Sequence, residues 1–338
     1  MVRVGIINVT GYMGAEAARL LHTHPNVEIV AVTGRSAAGK PLGEVFPHLA
    51  PLGLTIQEEL RDEVDAIVSA LPHAASAETL QPYIERGLPV VDLSADFRIH
   101  RLEDYEQWYG PHPAPKLLAR AVFGLPELHK EEIKRAKLVA SPGCHSTAAI
   151  LALAPAVKAG LVEPDIIVDS KTGISGAGRT LGLSYHFSEA NEDVAAYALG
   201  GHRQLPEMTQ ELGALCEAPA PRITFVPHLV PITRGILVTC YATLRDGTDA
   251  AAIREVYEDF YREAPFVRIV TEPPATKQTL GSNACLIHPT VDERTGRLIV
   301  VSCLDNLTKG GAGQGIQCLN LMLGLEESAG LRGIALYP

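Results

Sequence analysis

The 338-residue sequence has no long apolar run and no excess of positive charge. Its longest apolar stretch, residues 148–157, is too short to cross a lipid bilayer and contains Pro155. Lysine and arginine together number 29 against 39 aspartates and glutamates, which gives a formal net charge of −10. Proteins that bind nucleic acid usually carry a basic face, and the sequence has no basic cluster. These absences argue against a membrane-spanning protein and against a nucleic-acid-binding protein.

Closely spaced cysteines are also absent. The nearest two of the six, Cys303 and Cys318, are too far apart for a C-x-x-C metal or redox motif. A disulfide scaffold is not expected in a long chain of which 46% is hydrophobic. The spacings favour neither a metal site nor a disulfide framework, so each cysteine is expected to be a buried small side chain or a reactive thiol.

The sequence begins without the charged leader, apolar segment and cleavage site that direct export, because a strand-like apolar run follows Met1 directly. We therefore expect a cytoplasmic protein. With 46% hydrophobic and 20% charged residues, the composition is typical of a globular protein. At about 100–200 residues per domain, the length favours two domains.

The first half of the chain alternates strand-like and helix-like segments. The helical patterns cover residues 12–24 and 74–86, and Gly87 suits the end of the second. Apolar runs predict five strands, at Val2–Ile7, Val27–Thr33, 64–70, 88–93 and 138–141. Such alternation predicts a parallel sheet with helices on both faces. Residues 99–129, rich in proline and charge, are expected to form an irregular excursion.

The second half has more strand candidates and fewer helices. The strand candidates are residues 166–170, 222–230, 235–244, 266–271, 280–288 and 297–304. Among them, residues 249–263 form the one clear amphipathic helical pattern. This arrangement predicts an α+β domain with a mixed or antiparallel sheet. A glycine-rich turn, residues 309–315, then leads into a last helix that ends near Leu325.

The first strand ends in a turn typical of a dinucleotide site. The spacing Asn8-x-x-Gly11-x-x-Gly14 leads directly into a helix. Glycines there allow a tight turn and let backbone N–H groups approach a pyrophosphate at the helix N-terminus. Asn8 replaces the usual first glycine, but asparagine tolerates a positive φ better than most residues. The alternative interpretation is an ordinary connection between a strand and a helix.

The end of the second strand favours NADP over NAD. An NAD site normally has a carboxylate about 20 residues after the glycine turn, where it holds the ribose hydroxyls. Here Gly34, Arg35 and Ser36 follow the strand, with no acid among them. Arg35 can pair with a 2′-phosphate and Ser36 can donate a hydrogen bond to it. The alternative is that Arg35 is a solvated surface side chain.

Cys144 is the candidate nucleophile. Residues 141–144 read Ser-Pro-Gly-Cys and precede an alanine-rich helical stretch, so the thiol should lie at a helix N-terminus. There the helix dipole and free N–H groups stabilise a thiolate, although a purely structural cysteine is the alternative. His145 is a poor partner because adjacent helical residues point about 100° apart. The base should come from elsewhere, and His202 is one of several candidate histidines.

A series of different short motifs lies along nearly the whole chain. They are Thr10-Gly11-Tyr12-Met13-Gly14, Leu93-Ser94-Ala95-Asp96-Phe97-Arg98, Phe123-Gly124-Leu125-Pro126-Glu127, Ser141-Pro142-Gly143-Cys144, Ser175-Gly176-Ala177-Gly178-Arg179, Pro227-His228-Leu229-Val230-Pro231, Arg234-Gly235 and Asp305-Asn306-Leu307-Thr308-Lys309-Gly310. In number and order they resemble the N-acetyl-gamma-glutamyl-phosphate reductase family of arginine biosynthesis.

The resemblance implies a Rossmann-type NADP domain over residues 1–143, to which residues 310–338 return, and a catalytic α+β domain over residues 144–309. It also implies an activity: NADPH reduces N-acetyl-L-glutamyl 5-phosphate to N-acetyl-L-glutamate 5-semialdehyde and phosphate. In the implied mechanism the Cys144 thiolate forms a thioester, hydride reduces it to a hemithioacetal, and a histidine acts as acid and base. The implied assembly is a homodimer or homotetramer.

Position by position, the resemblance makes His202 the general acid–base, within the element His-Arg-x-x-Pro-Glu. Arg98 and Arg179 are expected to bind the phosphate or carboxylate of the anionic substrate, and a structural ion pair is the alternative for each. The residues expected to contact NADP(H) are Gly11, Tyr12, Met13, Gly14, Arg35, Ser36, Ser175, Gly176 and Asn306.

The chain departs from the family pattern near both catalytic positions. His145 and Ser146 stand where the family usually has an aromatic residue and then a proline. Gln204 stands where a second histidine is common. If that second histidine were the base, this chain would lack it. Asn8, in place of a glycine, is expected to alter the contacts with the pyrophosphate.

Two other functions are compatible with parts of the sequence. A reductase of aminoadipyl or aspartyl phosphate would use the same cysteine and NADP, and one methylene of substrate length changes binding by only about 1–3 kcal/mol. A non-catalytic NADP-sensing module would keep the fold and lose the chemistry. Such a module would be expected to have lost Cys144 or the Pro-Gly before it, and this chain keeps both.

Overall fold

A computed structural model describes residues 1–216, 219–248 and 250–338, which form two compact units. The first unit contains Met1–Pro142 and Gly311–Gly333, and the second contains Gly143–Gly310 and Ile334–Pro338. Within the described ranges, no helix is both long enough and apolar enough to span a bilayer. The functional domains assigned from the sequence stay a prediction.

The first unit is built on a seven-stranded sheet in which every neighbouring pair of strands is parallel. The order across the sheet is β3-β2-β1-β4-β5-β7-β6. The strands are β1 (Val2–Ile7), β2 (Val27–Thr33), β3 (Ile56–Gln57), β4 (Ala66–Ser69), β5 (Val90–Asp92), β6 (Ala121–Phe123) and β7 (Leu138–Ala140). The central strands are buried, which explains why they are continuous apolar runs, and the predicted parallel sheet is confirmed.

Helices connect these strands in the alternating order that the sequence predicts. Those of the first unit are α1 (Tyr12–His22), α2 (Leu42–Val45), α3 (Ser76–Glu85), α4 (Leu102–Tyr109), α5 (Pro126–Arg135) and, from the C-terminal segment, α10 (Gly313–Met322). The expectation of an irregular excursion over residues 99–129 is wrong in part, because α4 and the edge strand β6 lie there. A three-residue strand is too short to show a periodicity, and only its pairing with β7 defines it.

The second unit contains a seven-stranded mixed sheet in the order β12-β13-β14-β11-β8-β10-β9. Its strands are β8 (Val162–Thr172), β9 (Ala195–Ala196), β10 (Arg222–Leu229), β11 (Ile236–Leu244), β12 (Val267–Ile269), β13 (Cys285–Asp292) and β14 (Arg297–Leu304). The pairs β8–β10 and β12–β13 are parallel, and the other neighbours are antiparallel. The predicted α+β unit with a mixed sheet is therefore confirmed.

The helices of the second unit are α6 (Cys144–Lys158), α7 (Phe187–Ala190), α8 (Leu205–Leu215) and α9 (Ile253–Phe260). The amphipathic pattern over residues 249–263 therefore corresponds to α9 and the turn Ala250–Ala252 before it, and Asp249 lies outside the described residues.

Helix α6 is buried almost along its whole length, and it contains Pro155 in its interior. A proline has no N–H, so the carbonyl of Leu151 loses its usual helical donor. The hydroxyl of Tyr261 donates to that carbonyl at 2.6 Å, and Tyr257 donates to the carbonyl of Ala152 at 2.8 Å. These two tyrosines satisfy the buried backbone and fix the helix that begins at Cys144.

Candidate active site

Cys144 is the first residue of α6, and Gly143 precedes it in the extended conformation of a helix N-cap (φ −70°, ψ 153°). The Cys144 side chain is half-buried, whereas four of the other cysteines are buried. Burial raises the pKa of the Cys240 thiol well above its ordinary value and that of Cys303 to about 11. Among the described cysteines, Cys144 therefore combines partial exposure with a helix N-terminus.

The start of α6 is capped by side chains from the beginning of α8. The side-chain oxygen of Gln204 accepts hydrogen bonds from the backbone N–H of His145 at 3.0 Å and of Ser146 at 3.3 Å. Glu207 Oε2 accepts the N–H of Gly143 and the hydroxyl of Ser146, each at 2.8 Å. The expectation of free N–H groups is therefore wrong for Gly143, His145 and Ser146, whose N–H groups all have acceptors. The helix dipole remains to stabilise a thiolate at Cys144.

Two of the residues that depart from the family pattern, Ser146 and Gln204, are thus hydrogen-bonded to each other. Their side chains also meet, because the Ser146 hydroxyl lies 3.3 Å from the Gln204 oxygen. Unlike a proline, Ser146 has an N–H that needs an acceptor, and Gln204 supplies it. In this chain Gln204 therefore caps the N-terminus of α6. The His-Arg-x-x-Pro-Glu element in which Gln204 lies does not indicate that role.

Two glycines fit closely against this region. A Cβ on Gly143 would lie 2.3 Å from Cδ of Gln204, and a Cβ on Gly310 would lie 2.7 Å from Cβ of Cys144. Both distances are shorter than real Cβ atoms allow, so any larger residue would displace the cap or the nucleophile. The glycines in Ser-Pro-Gly-Cys and Thr-Lys-Gly are explained by this close approach.

His202 lies in the turn before α8 and is half-buried. Its Nδ1 accepts the backbone N–H of Gln204 at 3.1 Å. A backbone N–H can only donate, so the neutral imidazole carries its proton on Nε2. Burial, together with the charge of Arg203, lowers the pKa of His202 to about 4. Near neutral pH, His202 is therefore a neutral imidazole that offers an Nε2–H donor.

His145 and Tyr197 lie beside His202. The His145 ring is buried, and its Nδ1 lies 2.7 Å from the Ser170 hydroxyl and its Nε2 3.1 Å from the Tyr197 hydroxyl. Burial and the nearby His202 lower the pKa of His145 to about 3. Burial raises the pKa of Tyr197, and the charge of a Cys144 thiolate adds to that rise. Tyr197 is thus electrostatically coupled to the candidate nucleophile, which no sequence motif indicated.

Ser175 and Asn306, two of the predicted cofactor residues, are in contact. Asn306 Nδ2 donates to the Ser175 hydroxyl at 2.9 Å, and Asn306 Oδ1 accepts the N–H of Gly235 at 2.7 Å. A Cβ on the neighbouring Gly176 would lie 3.9 Å from Asn306 Nδ2. The structure therefore brings three residues, separated by up to 131 positions, into one small cluster.

An ion pair that the sequence analysis did not single out holds the loop beside this cluster. The guanidinium of Arg234 binds both carboxylate oxygens of buried Asp305, through Nε at 2.9 Å and Nη2 at 2.9 Å. Asp305 also accepts the backbone N–H groups of Gly281 and Leu307. Both charged residues belong to motifs that carry the family resemblance, but the motifs did not reveal that they pair.

In the first unit, the turn after β1 is tight, as the sequence predicts. Asn8 adopts a left-handed φ of 65°, and a Cβ on Gly14 would lie 2.4 Å from the Asn8 carbonyl oxygen. Gly11 is the N-cap of α1, with no side-chain cap and no acidic residue in the first helical turn. A helix start with these features fits an anionic group. Tyr12 and Met13 follow on the same turn, with Tyr12 exposed.

The second predicted cofactor turn directly follows β2, the neighbour of β1. Arg35 and Ser36 are exposed on a short 3₁₀ turn, Arg35–Ala37. The carbonyl of Thr33 accepts the N–H of Val9 at 2.8 Å, which ties the two turns together. Both sets of predicted cofactor residues therefore lie at the carboxyl ends of the two neighbouring parallel strands β1 and β2.

The two arginines predicted to bind substrate have different surroundings. Arg98 is buried, and it donates from Nε to the carbonyl of Ser141 at 2.7 Å and from Nη2 to the carbonyl of Leu93 at 2.8 Å. Arg179 is exposed and follows Gly178, whose φ is 76°. Arg98 therefore has a structural role in joining two segments of the first unit, and the substrate roles of both arginines stay predictions.

Comparisons with known proteins agree with this fold and show the family. Family models for the semialdehyde dehydrogenase NAD-binding domain and dimerisation domain match residues 3–136 and 144–306. An N-acetyl-gamma-glutamyl-phosphate reductase from Dehalococcoides mccartyi is 52% identical over 337 residues, 99% of each chain. The chain therefore belongs to the N-acetyl-gamma-glutamyl-phosphate reductase family, within the NAD(P)-binding semialdehyde dehydrogenases.

Solved structures share the fold at lower sequence identity. Aspartate semialdehyde dehydrogenase II from Vibrio cholerae has a TM-score of 0.73 at 17% identity, covering 96% of this chain and 99% of its own. Aspartate semialdehyde dehydrogenase with NADP from Candida albicans has a TM-score of 0.71 at 15% identity, covering 96% and 99%.

Proposed function

We propose that the protein reduces N-acetyl-L-glutamyl 5-phosphate to N-acetyl-L-glutamate 5-semialdehyde and phosphate, with NADPH as the reductant. The single observation that carries the proposal is the half-buried Cys144 at the start of α6, next to the network that surrounds a neutral His202. The name of the relative with 52% identity supports the choice of substrate.

The first step is acyl transfer to sulfur. The Cys144 thiolate attacks the carbonyl carbon of the acyl phosphate, forming the carbon–sulfur bond and breaking the carbon–oxygen bond to phosphate. The dipole of α6 stabilises the thiolate before attack. The cap from Gln204 and Glu207, with Gly310 packed against the Cys144 side chain, holds the sulfur in one position and so reduces the entropic cost of attack.

The second step converts the thioester to the aldehyde. When bound, NADPH supplies the hydride. Hydride addition leaves a negative charge on the oxygen of the hemithioacetal at Cys144, and the Nε2–H of His202 is available to donate a hydrogen bond to that oxygen because Nδ1 already accepts one. The oxyanion then re-forms a carbonyl as the carbon–sulfur bond breaks, which releases the aldehyde and restores the Cys144 thiolate. A neutral histidine suits this step, since it stabilises the oxyanion and keeps its own proton.

We propose that the cofactor is NADP(H) and that the first unit binds it. Gly11, Gly14 and the uncapped start of α1 suit the pyrophosphate, and Arg35 with Ser36 suits the 2′-phosphate. The fold relative from Candida albicans whose structure contains NADP supports this choice. In the second unit, the cluster of Ser175, Gly176 and Asn306 is proposed to contact the cofactor.

We further propose that the protein assembles as a homodimer, or as a homotetramer built from such dimers, through the mixed sheet. Helix α6 packs against one face of that sheet, while alternate residues on the strands, such as Ile167, Tyr241 and Ile299, are exposed or half-buried. The matching family model is described as a dimerisation domain, which supports the proposal. The cytoplasmic location stays a prediction.

The reverse reaction tests the proposal most directly. The assay supplies N-acetyl-L-glutamate 5-semialdehyde and phosphate with either NADP or NAD, and follows the reduced cofactor by absorbance. Phosphate-dependent formation of NADPH, lost in Cys144→Ala and retained in the matched variant Cys216→Ala, is the expected result. Activity only with aspartate or aminoadipate semialdehyde would overturn the substrate, and a folded, NADP-binding protein inactive with all three would favour a sensor.

A further inference from the structure

Three aromatic rings surround the imidazole of His202. The ring centroids of His145, Phe225 and Tyr197 lie 5.4, 5.2 and 5.7 Å from it, at interplanar angles of 76°, 84° and 67°. Each contact is edge-to-face, a favourable arrangement for aromatic pairs. The rings come from α6, β10 and the residue after β9, so three separate elements meet around one histidine.

Hydrogen bonds lock two of these rings in place. Nδ1 of His145 lies 2.7 Å from the hydroxyl of Ser170, a fully buried residue of the central strand β8. Nε2 of the same ring lies 3.1 Å from the Tyr197 hydroxyl. A neutral imidazole has one donor and one acceptor nitrogen, and the two hydroxyls satisfy both. The chain Ser170–His145–Tyr197 therefore prevents either ring from turning without the loss of a buried hydrogen bond.

We infer that His145 and Tyr197 are positioning residues, which with Phe225 form an aromatic enclosure that holds His202 for hydrogen bonding to the reacting oxygen. This inference rests on the proposed function. The enclosure limits the imidazole to the orientation in which Nδ1 faces the Gln204 N–H, so that the Nε2–H is left to donate a hydrogen bond to the reacting oxygen. The rings also exclude water from the imidazole. An enclosure of this kind explains why a buried histidine directly follows the nucleophile.

The charged and titratable groups around His202 act in opposite directions. Arg203 and a protonated His145 disfavour the imidazolium, whereas a Cys144 thiolate would favour it and the Tyr197 hydroxyl is neutral near pH 7. Removal from water is the largest effect on the pKa of His202 and it lowers that pKa from 6.5. Opening the enclosure to water should therefore move the pKa back toward its ordinary value.

The experiment titrates His202 by NMR in the full chain, with Tyr197→Ala and Tyr197→Phe compared with the parent, and measures kcat and KM at several pH values. In Tyr197→Ala the enclosure loses one of its three rings and opens to water, so the pKa of His202 should rise by about one unit or more. The acid limb of the pH profile of kcat/KM should shift to higher pH together with this pKa. In addition, kcat should fall about 10-fold with little change in KM, because His202 is less firmly held.

In Tyr197→Phe the aromatic ring remains in the enclosure and only the hydrogen bond between the Tyr197 hydroxyl and His145 is lost. The pKa of His202 should stay close to that of the parent, while kcat falls by roughly 3-fold because the ring is less firmly held. Tyr83→Ala, which removes a partly buried tyrosine of the first unit, is the matched control and should leave the pKa of His202 unchanged. Phe225→Ala replaces Tyr197→Ala if the latter does not fold.

A parent-like pKa of His202 in Tyr197→Ala, or in Phe225→Ala where that variant replaces it, would overturn the enclosure. A parent-like kcat in Tyr197→Phe would show that the hydrogen bond between Tyr197 and His145 does not help to position His202. The NMR titration needs neither substrate nor cofactor. If the enclosure controls the titration but no reductase activity is found with any semialdehyde, then the proposed function fails and the positioning of His202 stands.

Discussion

The side-chain oxygen of Gln204 lies 3.0 Å from the backbone nitrogen of His145, although the two residues are separated by 59 positions. One side chain thereby caps the helix that presents the nucleophile, from the element that also carries His202. Gln204 links the two proposed catalytic residues in a further way, since its own N–H donates to Nδ1 of His202.

Replacing this cap should weaken both stability and activity. In Gln204→Ala the amides of His145 and Ser146 lose their acceptor, and loss of a helix cap costs about 1 kcal/mol of unfolding free energy. Urea unfolding measures that loss, and kcat should fall further than the stability change explains because Cys144 becomes less fixed. The control Gln81→Ala loses only an exposed hydrogen bond to Glu85 and should be close to neutral. Parent-like unfolding of Gln204→Ala would show that the cap contributes nothing.

Gly310→Ala should inactivate the protein while leaving it folded. The new Cβ would lie 2.7 Å from Cβ of Cys144, so the nucleophile has to shift. A displacement of about 1 Å is expected to lower kcat about 100-fold. The matched variant Gly213→Ala, whose Cβ would lie 3.6 Å from the Ala220 side chain at an ordinary van der Waals distance, should retain activity. Full activity in Gly310→Ala would mean that this glycine is not needed to place the thiol.

Arg35→Ala should change cofactor preference. Loss of a charged hydrogen-bond donor to the 2′-phosphate is expected to raise the KM for NADPH by about 10-fold or more, since such bonds contribute about 1.5–3 kcal/mol. The KM for NADH, which has no 2′-phosphate, should stay nearly unchanged. Lys40→Ala, also exposed just beyond the same turn, is the control for a general loss of positive charge. An equal effect on both cofactors would argue against the assignment of Arg35.

The pH dependence of stability should report the burial of His145. Its pKa is about 3 in the folded protein and near 6.5 when exposed, so between these values the unfolded chain binds more protons. The unfolding free energy should therefore fall as the pH drops below 6.5, by about 1 kcal/mol per pH unit for this group. In His145→Phe that contribution disappears and the slope should flatten.

Asp92 acts in the opposite direction. Its burial raises its pKa to about 6, so its contribution makes the folded state more stable as the pH falls through that value. The comparison of His145→Phe with the parent cancels this effect, because Asp92 is present in both. Urea unfolding at several pH values between about 4 and 7 makes the measurement. Identical slopes in the two proteins would show that His145 is not buried in its neutral form.

Much of the architecture was predictable because it depends on local patterns. Alternating apolar runs and helical periodicities indicated the parallel sheet, and the excess of strands after Cys144 indicated the mixed sheet. The short strands β3 and β6 were missed because, unlike the similarly short β5 and β7, neither lies in a longer apolar run. The expected free N–H groups at the start of α6 were wrong because their acceptors come from residues 204 and 207, far along the chain.

The class of each unit, the family, and the candidate roles of Cys144 and His202 therefore follow from the order of the amino acids. Only the tertiary structure showed that Gln204 caps the nucleophile's helix, that Gly310 packs against Cys144, and that Tyr197 encloses His202. The reason is physical. Periodicity and turn propensity act between residues a few positions apart, whereas Gln204 and His145 are 59 positions apart and Gly310 and Cys144 are 166 positions apart, and only packing of the complete unit brings such residues together.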